Sequence, residues 1–217
     1  MDQKLNLAEE LLLLALKEES GTVRMAAVTA LPYGLAGALL IELVLAGFAR
    51  IDGKRLVPAP TGSTRDALLD GYLEQLRAAP KARTIAAWVR RFGQKAGKPK
   101  HVLLDRLVAK RILTKEERHI FWIFMTWRYP QADAMAGHRI RERVRAAIRG
   151  IGAPDERTAA LIWLVHACEL VGSVFEKDER REARRRAKDI AAGQPIGDAV
   201  AQAVRAVRAA VIAAAGS

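Results

Sequence analysis

PYGLAGALLIELVLAGFARIDGKRLVPAP, running from Pro32 to Pro60, changes its period halfway, and that change decides the fold. Pro32 opens a helix in which Leu35, Leu39, Leu40, Leu43 and Val44 share one face, and Gly47 stops it. The pattern then shortens. Asp52-Gly53 sits between two brief apolar runs, the signal of a tight hairpin, and Pro58 and Pro60 close it.

Working outward, helical periodicity dominates on both sides. Leu7, Leu11 and Leu14 predict a first apolar helix ending near Gly21. Thr61 to Thr64 form a polar loop suited to capping a third helix with Leu68, Leu69, Tyr72 and Leu76, which Pro80 ends. A fourth helix carries Ile85, Trp88, Val89 and Phe92. GQKAGKPK (Gly93 to Lys100) reads as a basic link, and a fifth helix carries Val102, Leu103, Leu107 and Val108. ILTKEERHIFWIF repeats the apolar–polar–apolar pattern of the first hairpin. Beyond Pro130 the spacing predicts a helix over 133–149, a turn at GIGAPDE, and an apolar helix through ALIWLVHACELVGSVF. A charged helix at KDERREARRRAKD and a last one over 196–214 complete the chain. The fold class is mainly α, one compact domain over 1–217 with one or two small hairpins.

The 217 residues suffice for a sizeable core, and half of them are hydrophobic, which excludes wholesale disorder. The single Cys168 excludes a disulfide framework and a multi-cysteine zinc site. No apolar run approaches a membrane span. LLLLAL (Leu11 to Leu16) is short and flanked by Glu9, Glu10, Glu18 and Glu19, unlike a signal peptide, so the expected location is cytoplasmic.

The net charge of +12 is concentrated. Residues 1–80 hold 8 basic and 10 acidic side chains, whereas residues 81–100 hold seven basic and none acidic. Residues 101–150 hold 11 basic and 5 acidic, and 151–217 are nearly balanced. Such a region implies a polyanionic partner: a membrane surface, a nucleic acid or an acidic protein. The plain alternative is a solvated face.

Three apparent sites fail on chemistry. GQKAGKPK has too short a spacing between its glycines, and no Ser or Thr after its lysine, for a phosphate loop. His166 and Cys168 supply two ligands at most and read better as packed side chains on an apolar helix. Glu9 and Glu10 lie in a first turn, where negative charge favours the helix dipole, and with Glu42 they mark no catalytic pair. No cofactor, metal or enzymatic activity is expected. HRIRERVRAAIR is stronger, because it places Arg139, Arg143 and, less ideally, Arg145 and Arg149 on overlapping faces of one helix, and guanidiniums grip phosphate bidentately. Trp122 reads as core. Trp127 and Tyr129 flank Arg128 in a loop, where they suit either packing or an interface.

LNLAEELLLLALKEESG, GLAGALLIELVLAGFARID, APTGSTRDALLDGYL, TIAAWV, RLVAKRILTKEERHIFWIFMT, LIWLVHACELVGSVF and AVRAAVIAAA, in that order, resemble the Golgi phosphoprotein 3 family of peripheral membrane proteins. The resemblance covers nearly the whole chain. It implies a helical core wrapped by amphipathic helices and carrying a small hairpin, and a non-enzymatic adaptor. Eukaryotic members bind phosphatidylinositol 4-phosphate and recruit glycosyltransferase tails. The family's headgroup pocket combines a Trp and an Arg with two basic residues three apart on a later helix. Here the Trp falls near Ala26 or Ala27 and the early Arg at Ala36. Arg139 matches, but Glu142 stands three residues on, with Arg143 beside it. GIGAPDE is shorter than the family's oligomerising hairpin. The Ala/Arg-rich composition is similar to a bacterial member.

The function this predicts is peripheral binding to anionic lipid headgroups, following membrane charge more than phosphoinositide identity. Arg128, Arg139 and Arg143 are the expected phosphate contacts, with Arg90, Arg91, Lys95, Lys98 and Lys100 as diffuse attraction. Protein clients and a homo-oligomer are further expected partners. Nucleic acid is the alternative, since helix–hairpin units at 35–57 and 102–124 resemble winged helices, although their helices are apolar and carry acids. A protein–protein scaffold is the other alternative.

Overall fold

The computed structural model describes residues 4–95, 97–120 and 124–192, together with positions 195, 196, 198, 199, 201, 202 and 204. More than half of these are helical, in eight named α-helices, and the only sheets among them are two antiparallel hairpins. The mainly α class holds.

The centre is α2 (Leu31–Leu45). It is buried all round rather than on the single stripe its leucines suggest, because every residue from Tyr33 to Leu43 lies inside. Around it pack α1 (Leu7–Ala15), α3 (Ala67–Arg77), α4 (Ile85–Gly93), α5 (Gly97–Ala109) and α7 (Glu156–Ala167). The contact with α4 is close enough that a Cβ on Gly93 would fall 2.3 Å from the Tyr33 ring. The apolar face of α4 is the one its spacing predicts, with Ile85, Trp88, Val89 and Phe92 all buried. On the outside, α6 (Ala134–Arg149) packs on α1, α7 and α8 (Arg180–Ala191). The charged α8 carries Glu182 paired with Arg185 and Arg186 at three- and four-residue spacing.

The first hairpin pairs β1 (Ala49–Asp52) with β2 (Arg55–Pro58). Asp52 pairs with Arg55, so the two loop residues are Gly53 and Lys54, with Gly53 at φ +57. A positive φ at the first loop position is the type II′ requirement that glycine meets without strain.

Several sequence expectations shift. The first helix stops at Ala15, and the chain turns back through a Leu16–Val23 bridge instead of continuing towards Gly21. Asp66, not the Thr61 to Thr64 loop, caps α3, accepting from the Leu68 and Leu69 amides. Gly97 to Lys100 open α5 instead of forming a link, and Val102 on it is exposed. The apolar helix through Phe175 breaks after Ala167, where Glu169 takes φ +58 and a short 3-10 turn (Leu170–Ser173) follows. In the second hairpin β3 is Glu116–Ile120 and β4 is Phe124–Arg128, so the polar KEER segment enters a strand instead of making the turn. Trp127 and Arg128 are therefore strand residues, and Trp122 lies outside the described residues, as do 205–214 of the last helix.

Candidate anion-binding site

The site is built on α1, a helix with acids on a fully buried surface. Asn6 caps it in a reciprocal box: its side chain accepts from the Glu9 amide at 2.8 Å, and the Glu9 carboxylate accepts from the Asn6 amide at 2.9 Å. Leu7 and Leu11 to Leu14 are buried with it, each worth about 1.5–3 kcal/mol when fully removed from water.

Carboxylates inside such a core need partners, since a lone buried charge is prohibitively costly. Each finds a cation from a different part of the chain. Lys110, just past α5, donates to both Glu9 oxygens at 2.8 and 2.7 Å. Arg143 on α6 donates to Glu10 at 2.7 Å. Arg157 on α7 donates to Glu42 of α2 at 2.7 Å and to the Leu5 carbonyl at 2.7 Å. Glu42 also accepts from the Leu7 amide at 2.5 Å. Burial pushes the Glu10 carboxyl above its ordinary range, against the pull of Arg143 and Arg157.

Above these three acids lies a cavity of about 500 Å³. Leu5, Ile112, Ala136 and Ile140 give it apolar walls. Lys4, Lys110, Arg139, Arg143 and Arg157 face it, against Glu10 and Asp133, so five cations meet two carboxylates. Asp133 caps α6, accepting from the Met135 amide at 2.9 Å. The first turn of α7 and the first half of α6 reach the cavity, and the start of α1 adjoins it, so their positive dipole ends add to the field. A concave surface of this kind suits a compact, multiply charged anion such as a phosphate ester.

Arg139 and Arg143 are thus brought together, one turn apart on the same wall. Arg128 does not line the cavity: it ends β4, half-buried, with a buried Nε that has no hydrogen-bond partner among the described residues. Arg90 and Arg91 are exposed in the last turn of α4, Lys95 follows that helix, and Lys98 and Lys100 lie in the first turn of α5. Glu142 pairs with Arg145 outside the cavity. Ala27 and Ala36 are fully buried, Ala26 is exposed, and none of the three lines the cavity. Trp127 is partly exposed with the Lys115 ammonium 4.7 Å from its ring centre, whereas Tyr129 is buried. Lys4, Lys110 and Arg157 escaped the sequence reading, because none belongs to a spaced basic row like that of Arg139 and Arg143 and each reaches the cavity from a different part of the chain.

Among the described residues no group of three His, Cys, Asp or Glu side chains is placed to hold a metal. Cys168 is buried, its sulfur 3.8 Å from the Ala30 carbonyl. His166 is half-buried, and burial lowers its pKa. Both suit packing.

The family model described as Golgi phosphoprotein 3 (GPP34) matches residues 7–207, from the first residue of α1 to beyond α8. Nearly the whole chain is covered, including every element that lines the cavity, and the protein belongs to the Golgi phosphoprotein 3 family.

Proposed function

We propose that this protein is a non-enzymatic peripheral membrane protein that docks the basic cavity onto the phosphates of anionic lipid headgroups. One observation carries the reading: five cations converge on one cavity, and three of them are fixed by buried carboxylates. Fixed cations lose little side-chain freedom when a phosphate arrives, so more of the attraction is realised as binding. Arg139 and Arg143 offer guanidinium forks at the wall, while Lys110 and Arg157, each paired with a carboxylate, offer N–H donors from below. Met135, exposed one turn before Arg139, stands beside the opening as an apolar contact for the headgroup boundary. Each basic residue near an anionic surface contributes about 1 kcal/mol, so the cavity with Arg90, Arg91, Lys95, Lys98 and Lys100 gives reversible attachment.

Among the described residues no helix is long and apolar enough to cross a membrane. We place the protein as one domain on the cytoplasmic membrane surface, with phosphatidylinositol 4-phosphate as one of several acceptable anionic lipids and protein clients recruited once it is bound. Winged-helix DNA binding is disfavoured because α2, the helix ahead of the first hairpin, is buried on every side and offers nothing to a groove. Flotation with phosphatidylglycerol vesicles at two salt concentrations, beside a DNA-shift assay in the same buffers, tests the choice. Binding to charged and not to neutral vesicles, weaker at high salt, is expected. Duplex DNA bound in preference to vesicles overturns the reading.

A further inference from the structure

We propose that the short turn Met25–Ala27 and the adjoining Val28 form an apolar anchor that enters the hydrocarbon boundary of an anionic bilayer, at a place separate from the basic cavity. The inference rests on the membrane reading above and adds to it a second point of contact.

Met25 is 82 % exposed and Val28 49 %, the former the most exposed of the large hydrophobics among the described residues. Their exposure does not come from a loose loop. The Arg24 amide donates to the Ala15 carbonyl at 2.8 Å, the Ala27 amide to the Arg24 carbonyl at 2.9 Å, and Ala27 itself is fully buried. The turn is therefore pinned from behind while its apolar tip faces water.

Beside the tip lies a groove of about 140 Å³, formed by Val23 and Val28, the start of α2 at Leu31 and Leu35, and the first turn of α5 at Gly97 and Lys100. An apolar cavity of about this size takes a ligand no larger than benzene. It is too small for a helix, which with its side chains is roughly 10–12 Å across. The end of one alkyl chain fits.

Charge selects the occupant. Neither chain segment that builds the groove, 20–41 or 75–104, contains a single Asp or Glu. Arg24 precedes the tip, and Lys98 and Lys100 flank it on α5. The nearest acids in sequence, Glu18 and Glu19, lie outside the groove, and Glu18 is paired with Arg141 at 2.7 Å. An exposed apolar tip with cations on either side, above a groove that no acid lines, matches an anionic bilayer, where apolar side chains sink below headgroups that hold the cations.

The groove also stands in a fixed relation to the cavity. Lys110, at the end of α5, meets Glu9 in the first turn of α1, while Gly97 and Lys100 at the other end meet the segment that follows α1. The two helices thus run antiparallel, with the cavity at one end of the pair and the groove at the other. Along the 13 residues of α5 that is about 20 Å, so the two contacts are separate points on the protein.

The test uses the full chain carrying Met25→Cys labelled with an environment-sensitive fluorophore. The natural Cys168 is buried, and labelling of the unsubstituted protein controls for it. On phosphatidylglycerol vesicles the emission should shift to the blue and be quenched by brominated acyl chains. M25D/V28D, checked for native circular dichroism, should lose at least tenfold in vesicle affinity. Flotation with unchanged emission, or M25D/V28D floating like wild type, overturns the anchor and leaves the membrane reading intact. No flotation by any form overturns both. Self-association of the wild type that M25D/V28D abolishes without vesicles assigns the groove to a second copy of the chain, and also overturns the anchor.

Discussion

Arg157→Met removes the cation that holds down Glu42 and leaves the rest of the cavity in place. Glu42 retains only the Leu7 amide, while its carboxylate stays 12 % exposed; the Leu5 carbonyl loses its donor as well. Breaking a buried pair from one side costs about 3–5 kcal/mol. Arg157 is 22 % exposed, so water softens the loss and the lower end, about 3 kcal/mol, is expected. For a chain of this length each kcal/mol moves the melting midpoint by about 2–4 °C, giving a drop of roughly 6–12 °C. Urea unfolding followed by circular dichroism reads the same quantity. The companion variant E42M/R157M keeps the volume and removes both charges, so it should be more stable than R157M alone by about 1 kcal/mol or more. R157M within about 0.5 kcal/mol of wild type, or a double variant less stable than R157M, refutes the view that these carboxylates are structural posts for the cavity's cations.

The neighbouring arginines should separate in the same unfolding assay. Arg143→Ala is expected to cost about 1–2 kcal/mol, a figure discounted because Arg143 is half-exposed, with part regained in E10Q/R143A; Arg139→Ala should stay within about 0.5 kcal/mol. R139A/R143A should remain folded and bind anionic vesicles about 2 kcal/mol more weakly, most visibly at low salt. With alanines at 26, 27 and 36, charge-matched vesicles carrying phosphatidylglycerol or phosphatidylinositol 4-phosphate should bind alike, and a preference above about tenfold in flotation would contradict this. Burial alone would raise the Asp66 carboxyl, but two Arg106 bonds of 2.7 Å and the Leu69 and Leu68 amides outweigh it and hold it low. A folded pKa below the unfolded one gives stability that is complete above about pH 4 and is lost as pH falls through the folded value. Asp66→Asn should therefore flatten the acid limb of the stability profile below about pH 4, and an unchanged limb in urea titrations would remove Asp66 from the account.

Local signals were legible in the sequence and long-range pairings were not. Pro32 and Gly47 bracket α2, the spacing of Ile85, Trp88, Val89 and Phe92 marks the buried face of α4, and Gly53 marks the first hairpin. Each depends on neighbours within a few residues. The break after Ala167 had no such mark, because HACEL lacks Gly and Pro and a non-glycine residue takes the left-handed conformation there. KEER reads as a turn because it is polar, yet its Glu116, Glu117 and Arg118 pair with β4 as exposed strand residues. Arg139 and Arg143 were found through their spacing on one helix. Their partners in the cavity were not, since Glu9 and Lys110 lie 101 residues apart and Glu10 and Arg143 lie 133 apart. The first turn of α1 explains acids there through its dipole, and that local explanation concealed the ion pairs.

The burial of α1 has a consequence for the order in which the chain is assembled. Its nine residues bury every side chain, but Lys110, Arg143 and Arg157 follow on average more than a hundred residues later, the last bonding Leu5 across 152 positions. At roughly 5–20 residues per second, the ribosome takes about eight to thirty seconds to deliver that last partner. Throughout that interval α2 is the nearest surface available to LLLLAL, the faces it turns to α6 and α7 stay uncovered, and nine residues are too few to hold a helix alone. A segment early in synthesis is thus completed late in folding, and during the wait its leucines are a ready target for chaperones.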